Sequence, residues 1–320
     1  MLSTETAFVA NHAISADPGS TITPVDLASG TTGRPIRTGT NLSTKAFSAL
    51  DPSALTFGPH GKTLYVANLG SDTVSEVTAG RGTVAGSFEA GLEPDAVAIA
   101  PDGRTAWVAD LGSGSILPVN LPSGRAGKAI GVGSEPRAVT VTPNGAEVLC
   151  ANFGSSTVSI LSTRTRRLVA TVPVGLEPTA VAITSNSSQA LVADLGANAV
   201  TVIDLSTNQV LRTVALAGDP TDIVAAAGVP GSRAGATVLY VTAGASITPI
   251  TTPSDTPGPA INIVYPAEAV ALSSTGTVAD VALQGGAIVE VNLATGKLGH
   301  LIHVGGIPTA IAVPPPVTTP

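Results

Sequence analysis

Charge is scarce in this chain: 12% of its 320 residues are Asp, Glu, Lys or Arg, and together they leave a formal net charge of −7. A protein that grips nucleic acid needs a basic face to displace counterions from phosphates, so this composition argues against a nucleic-acid partner. The densest basic group, Arg164, Arg166 and Arg167, falls in an expected turn and reads as solvated surface. Aromatic residues are only 3% of the chain. Few rings are available to stack a cofactor, and the lone Trp107 reads as packing within a strand. A single cysteine, Cys150, excludes an internal disulfide. With no His nearby it reads as a small buried hydrophobe and not as a catalytic thiol. No apolar run approaches the roughly 18 residues of a membrane-spanning helix. The segment from Met1 to Thr6 lacks the basic and apolar regions of a signal peptide. Four histidines (His12, His60, His300 and His303) are too dispersed for a His-based metal site or a nucleophile–His pair. Motifs of the nucleophile-elbow, phosphate-loop and His-Glu-x-x-His kinds are missing as well.

What the chain does have is rhythm. Pro52, Pro94, Pro136, Pro178, Pro220, Pro266 and Pro308 stand 42, 42, 42, 42, 46 and 42 residues apart. A fixed period of about 40 residues marks one supersecondary unit copied in tandem, and such units bury their apolar faces only against one another. The apolar fraction of 43% is ample for a core, and the 35 glycines and 25 prolines recur at fixed places as turn punctuation.

One copy shows the unit. Asp95–Ile99 is apolar enough for a strand, and Pro101-Asp102-Gly103 is a tight-turn sequence. Thr105–Ala109, Ser115–Asn120 and Lys128–Val132 read as three more strands, separated by Gly-containing turns. Four short antiparallel strands repeated about an axis are the blades of a β-propeller. The expectation is an all-β, seven-bladed β-propeller over residues 1–313, followed by a Pro/Thr-rich tail at 314–320. The chain opens on what should be a second strand, Ala7–Asn11, and closes on an unpaired first strand, Thr309–Val313. Pairing of these two would close the ring and remove an exposed edge. The first blade needs extra residues, expected between Gly30 and Ala49, and the sixth copy carries an insertion near Val229–Ser232.

Tyr65-Val66-Ala67-Asn68, followed by Gly70-Ser71 and Thr73-Val74-Ser75, resembles the YVTN repeat of bacterial and archaeal β-propellers. The tetrads Trp107–Asp110, Leu149–Asn152 and Leu191–Asp194 and the Gly-x-Glu/Asp-Pro junctions extend that resemblance over nearly the whole chain. It implies the fold closely and the activity loosely, since the family spans surface-layer proteins, exported binding proteins and relatives of quinohaemoprotein subunits.

Loops joining strand four to strand one should share a face with loops joining strands two and three. That places Asp51, Glu93, Glu135 and Glu177 near Asn11, Asn68, Asp110, Asn152 and Asp194 at one mouth of the channel. Such oxygen-rich groups would suit Ca²⁺ or a cationic ligand. The plainer alternative is that a carboxylate or amide repeated in every turn caps its own backbone. Asp95 and Arg137 break the repeat where other copies have Ser53, Thr179, Thr221, Ala267 and Thr309, and they either form part of a site or pair with each other. His12 is the one histidine near this mouth.

Two functions stay open. One is a non-catalytic scaffold that binds a small molecule or a protein at the channel mouth, without a resident cofactor. The other is a metal-dependent (Ca²⁺-type) hydrolase, lactonase or lyase with its site at the same mouth. A monomer in an extracytoplasmic or cell-surface setting is expected.

Overall fold

Each copy of the repeat folds into its own antiparallel sheet, and seven such sheets surround a channel. The computed structural model describes residues 6–12, 21–39, 52–227 and 237–315. Blades are numbered here from the one containing the N-terminus. In blade 3, Pro94–Ile99 lies innermost, followed outward by Thr105–Asp110, Ser115–Asn120 and the short pair Arg125–Ala126 and Ile130–Gly131. Its first turn closes with the Gly103 N–H donating to the Ala100 carbonyl at 2.8 Å, and Gly103 has φ +68°. That left-handed conformation is open to glycine at little cost.

The innermost strands of successive blades pack side by side: Pro52–Phe57, Pro94–Ile99, Pro136–Val141, Pro178–Ile183, Pro220–Ala227, Ala267–Leu272 and Ile307–Ala312. The last of these belongs to blade 1. It pairs antiparallel with Thr6–His12, with Val9 opposite Ile311. The ring is therefore closed as expected, by the end of the chain supplying the inner strand of its beginning.

Between blades the core is built of Ala, Val, Ile and Leu, with one large side chain from the second strand of most blades. Phe8, Tyr65, Trp107, Leu149, Leu191 and Tyr240 occupy this position, each buried against the next blade. Cys150 lies in the same layer, fully buried. Blade 7 departs from the pattern: Asp280 takes the place of the large apolar residue, is fully buried, and has neither carboxyl oxygen hydrogen-bonded.

Three details differ from the sequence expectation. Blades 1, 3 and 6 have their fourth strand broken into two short pieces. Each of these blades carries a proline in its third strand (Pro24, Pro118 or Pro249), which has no N–H to donate to the fourth. Gly33, Gly127 and Gly258 fill the gap by donating to the carbonyls of those same prolines at 2.7 Å. Second, part of the extra length of blade 1 lies between its second and third strands, where Asn11 pairs with Thr21 while Asn68 of blade 2 pairs with Thr73. The expected insertion at Gly30–Ala49 is described only to residue 39, and the segment Val229–Ser232 lies outside the described residues. Third, the residue of blade 7 equivalent to the marker prolines is Ala267, not Pro266, because Ala267 pairs with Leu283 as Pro52 does with Asn68.

Candidate functional site

Every innermost strand begins with the same irregularity. The marker residue pairs with the end of the second strand, the next residue bulges out, and pairing resumes one residue later. A bulge re-aims its side chain, and here the bulged residues line the channel mouth: Ser53, Asp95, Arg137, Thr179, Thr221, Glu268 and Thr309. Four of them are hydroxyls that tie neighbouring blades. Ser53 Oγ donates to the Pro94 carbonyl (3.0 Å), Thr179 Oγ1 to Pro220 (3.4 Å), Thr221 Oγ1 to Ala267 (3.0 Å) and Thr309 Oγ1 to Pro52 (3.1 Å). The other three, Asp95, Arg137 and Glu268, put charge into the mouth instead.

Behind this ring lies a channel cavity of about 580 Å³, walled mainly by Ala, Val, Ile and Leu of the inner strands. Burial pushes the Asp95 carboxyl up to about 6, against the opposing pull of the Arg137 charge. The two do not form a contact ion pair; the Arg137 guanidinium instead sits over the Phe153 ring, 3.8 Å from its centroid. That cation–π contact holds the guanidinium beside the mouth. Asp222 replaces the alanine found at this depth in the other blades (Ala54, Ala96, Ala138, Ala180, Ala269 and Ala310). Its carboxylate accepts the Val270 N–H of the next blade at 2.9 Å and the Ile223 N–H at 2.8 Å. Burial nevertheless raises it to about 6.

Of the sequence candidates, Asp95 and Arg137 line the channel. Asn68, Asp110, Asn152 and Asp194 do not reach it: they are buried at the second-strand ends of their own blades, where burial was not expected. Asn68 Nδ2 donates to Ser75 Oγ (3.0 Å), Asn152 Nδ2 to Thr157 Oγ1 and Ser159 Oγ (both 3.0 Å), and Thr201 Oγ1 donates to Asp194. Asn11 Nδ2 likewise donates to Thr23 Oγ1 at 2.9 Å. Burial lifts Asp110 to about 8, with nearby Asp72 adding to the effect, and lifts Asp194 to about 6.

These buried groups explain the junction motif. A Cβ on Gly133 would stand 2.8 Å from Asn152 Cβ, and one on Gly175 would stand 2.7 Å from Asp194 Cβ. The glycine of Gly-x-Glu-Pro is thus the lid on the amide or carboxyl of the tetrad. Glu93, Glu135 and Glu177 adopt φ of +53°, +51° and +55° and offer their carbonyls to Leu111, Phe153 and Leu195 N–H. Their carboxylates fold over Gly112, Gly154 and Gly196 in turn. The two motifs interlock within each of blades 3, 4 and 5. Asp51 and the His12 side chain lie outside the described residues.

The fold and this mouth define the class: a closed seven-bladed β-propeller with a charged channel entrance. No protein-family model matches the chain, and no curated protein matches it by sequence. Solved structures do match by shape. A functionally unknown protein from Desulfotomaculum acetoxidans superposes with a TM-score of 0.78 at 15% identity, covering 98% of this chain and 99% of that one. Hydrazine synthase of Kuenenia stuttgartiensis gives 0.72 at 17% identity, covering 85% and 92%. The Cps50 (Swd1) β-propeller domain of Myceliophteria thermophila gives 0.66 at 15% identity, covering 79% and 86%. Identities this low establish likeness of fold alone.

Among the described residues no three His, Cys, Asp or Glu side chains converge. Of the oxygen groups expected to suit Ca²⁺, Asn68, Asn152 and Asp194 are instead hydrogen-bonded within their own blades. Two channel residues were missed from sequence. Asp222 was legible as the one acid in a column of alanines, and Glu268 was hidden by taking Pro266 as the marker.

Proposed function

We propose that this propeller is a non-catalytic binding module of the YVTN-repeat kind, acting as a monomer outside the cytoplasm. Its mouth face takes an exposed segment of a partner protein, and a Lys or Arg side chain of that segment enters the channel between Asp95 and Glu268. The observation that carries this is the broken ring of bulged residues. Four blades spend the position on stitching, and three place a charged side chain at a concave opening. The acids Asp95, Asp222 and Glu268 outnumber the single Arg137, so a cation is favoured.

The rim supports a polypeptide over a free ion. Leu92, Leu176, Val264, Tyr265 and Ile307 lie in the junctions around the mouth with exposures of 39–62%. Apolar side chains standing on a rim around a charged centre suit a partner that brings both kinds of group. Arg137, braced on Phe153, is placed to meet a carboxylate or carbonyl of the same segment.

The test is selection of a displayed random peptide library on the full chain, followed by anisotropy titration of the recovered peptides. Enrichment of Lys and Arg is expected. Asp95→Asn with Glu268→Gln should weaken binding by roughly tenfold or more, and Leu92→Ser with Tyr265→Ser should weaken it without altering melting. Recovered peptides with no basic residue, or binding indifferent to these changes, would overturn the proposal. Turnover of an ester or lactone by the wild type and not by Asp95→Asn protein would replace it with the hydrolase alternative.

A further inference from the structure

The face opposite the mouth carries a second concavity, between blades 3 and 4, of about 370 Å³. Its wall comes from the first turns of both blades, at Asp102 and Asn144, and from the outer turn of blade 4, at Arg164 and Arg166. Beneath it lies Trp107, only 1% exposed, whose indole Nε1 has no hydrogen-bond partner. A buried N–H without a partner is uncommon, and each case calls for an account.

Apart from the second carboxylate oxygen of Asp102, the polar groups left free here are donors. An indole N–H can only donate, and a guanidinium offers five N–H groups and accepts nothing. Arg164 and Arg166 form no ion pair among the described residues, although Asp102 lines the same cavity. The Asp102 Oδ1 is engaged by the Arg104 N–H at 2.9 Å. Arg166 reaches across the seam into blade 3, its Nη1 lying 3.2 Å from where a Cβ on Gly127 would stand. Asn144 has its Oδ1 occupied by Thr142 Oγ1 and the Ala146 N–H, which leaves its amide N–H₂ to donate.

From this arrangement we propose that the cavity binds a small oxyanion, a carboxylate or a phosphate carried by a ligand of sugar size. Arg164 and Arg166 supply charge and paired donors, Asn144 supplies an amide, and the Trp107 side chain forms part of the wall. Planar guanidinium groups match both carboxylate and phosphate oxygens. The volume falls within the range of small-ligand sites. This proposal is independent of the mouth-face function.

Trp107 is the only tryptophan in the chain, so tryptophan emission arises solely from a residue in the wall of this cavity. Inorganic phosphate and glucuronate should each be titrated at fixed ionic strength, with sodium chloride as the balancing salt, and followed by fluorescence and by calorimetry. A saturable shift in emission is expected with at least one of them. A response to phosphate alone assigns a phosphate ester, and a response to glucuronate alone assigns a carboxylated sugar. Arg164→Ala with Arg166→Ala, both in an exposed turn, should weaken the response by roughly tenfold or more with melting unchanged. Asp95→Asn with Glu268→Gln should leave it intact. Saturation that survives the double arginine substitution would overturn the proposal, as would a linear response or silence in both measurements.

Discussion

Thr309 Oγ1 donates to the Pro52 carbonyl at 3.1 Å, joining two residues 257 positions apart in the chain. This bond fastens the final strand of the chain to the blade that follows it around the ring. Thr309→Val keeps the shape and removes the donor. It should cost about 1 kcal/mol, read as a melting temperature lower by about 2 °C. Ser53→Ala, which breaks the equivalent tie between blades 2 and 3, should cost a similar amount. If neither change moves the unfolding midpoint, the stitches are not part of what holds the ring.

Asp280 makes stability depend on pH. It is fully buried, with neither oxygen hydrogen-bonded, and burial reinforced by Glu290 raises it to about 7. A carboxyl whose folded pKa exceeds its unfolded value binds its proton more tightly when folded. Its contribution is full below about pH 4 and is lost as pH rises through about 7. Asp95, Asp110, Asp194 and Asp222 shift in the same direction. Chemical unfolding should therefore give a less stable protein at pH 8 than at pH 5. Asp280→Asn should recover about 2 kcal/mol at pH 8 and little at pH 4. A wild-type profile that rises from pH 5 to 8 would contradict this.

Gly175 is required by contact and not by its backbone angles. A Cβ there would lie 2.7 Å from Asp194 Cβ and Cγ, whereas one on Gly80 meets nothing within 4 Å. Gly175→Ala should destabilise by about 2 kcal/mol, and Gly80→Ala should be near neutral. Equal effects in a denaturant titration would show that the glycine does not serve as a lid.

Cys150 is fully buried, and burial pushes its thiol well above the ordinary range. The native protein should leave a chromogenic disulfide reagent unreacted until denaturant is added. One equivalent should then react at the rate of unfolding. Rapid labelling of the native protein would mean that the interface between blades 3 and 4 opens readily.

The number of blades and the closing pair were legible because the period is long and the chain ends are in phase; Val9 beside Ile311 followed from counting alone. Individual side chains were less legible. The second-strand residues Asn68, Asp110, Asn152 and Asp194 carry mouth-like chemistry at the correct height. Their direction, however, depends on how the chain turns after them, which the repeat does not encode by itself. Glu268 was lost to a one-residue slip: blade 7 begins its inner strand at Ala267, and a slip of one changes which residue bulges. Trp107 was read correctly as packing, but no periodicity could reveal that its nitrogen would be left without a partner beneath a pair of arginines.

Pro24, Pro118 and Pro249 also shape what the outside of the ring can do. An unbroken outermost strand presents a continuous row of N–H and C=O groups that a foreign chain could extend. Where these prolines fragment that strand, no long template is offered. Blades 2, 4, 5 and 7 keep theirs whole, so four of the seven sectors present an unbroken outer strand. A filament or sheet of such rings would be constrained in direction by where three prolines sit.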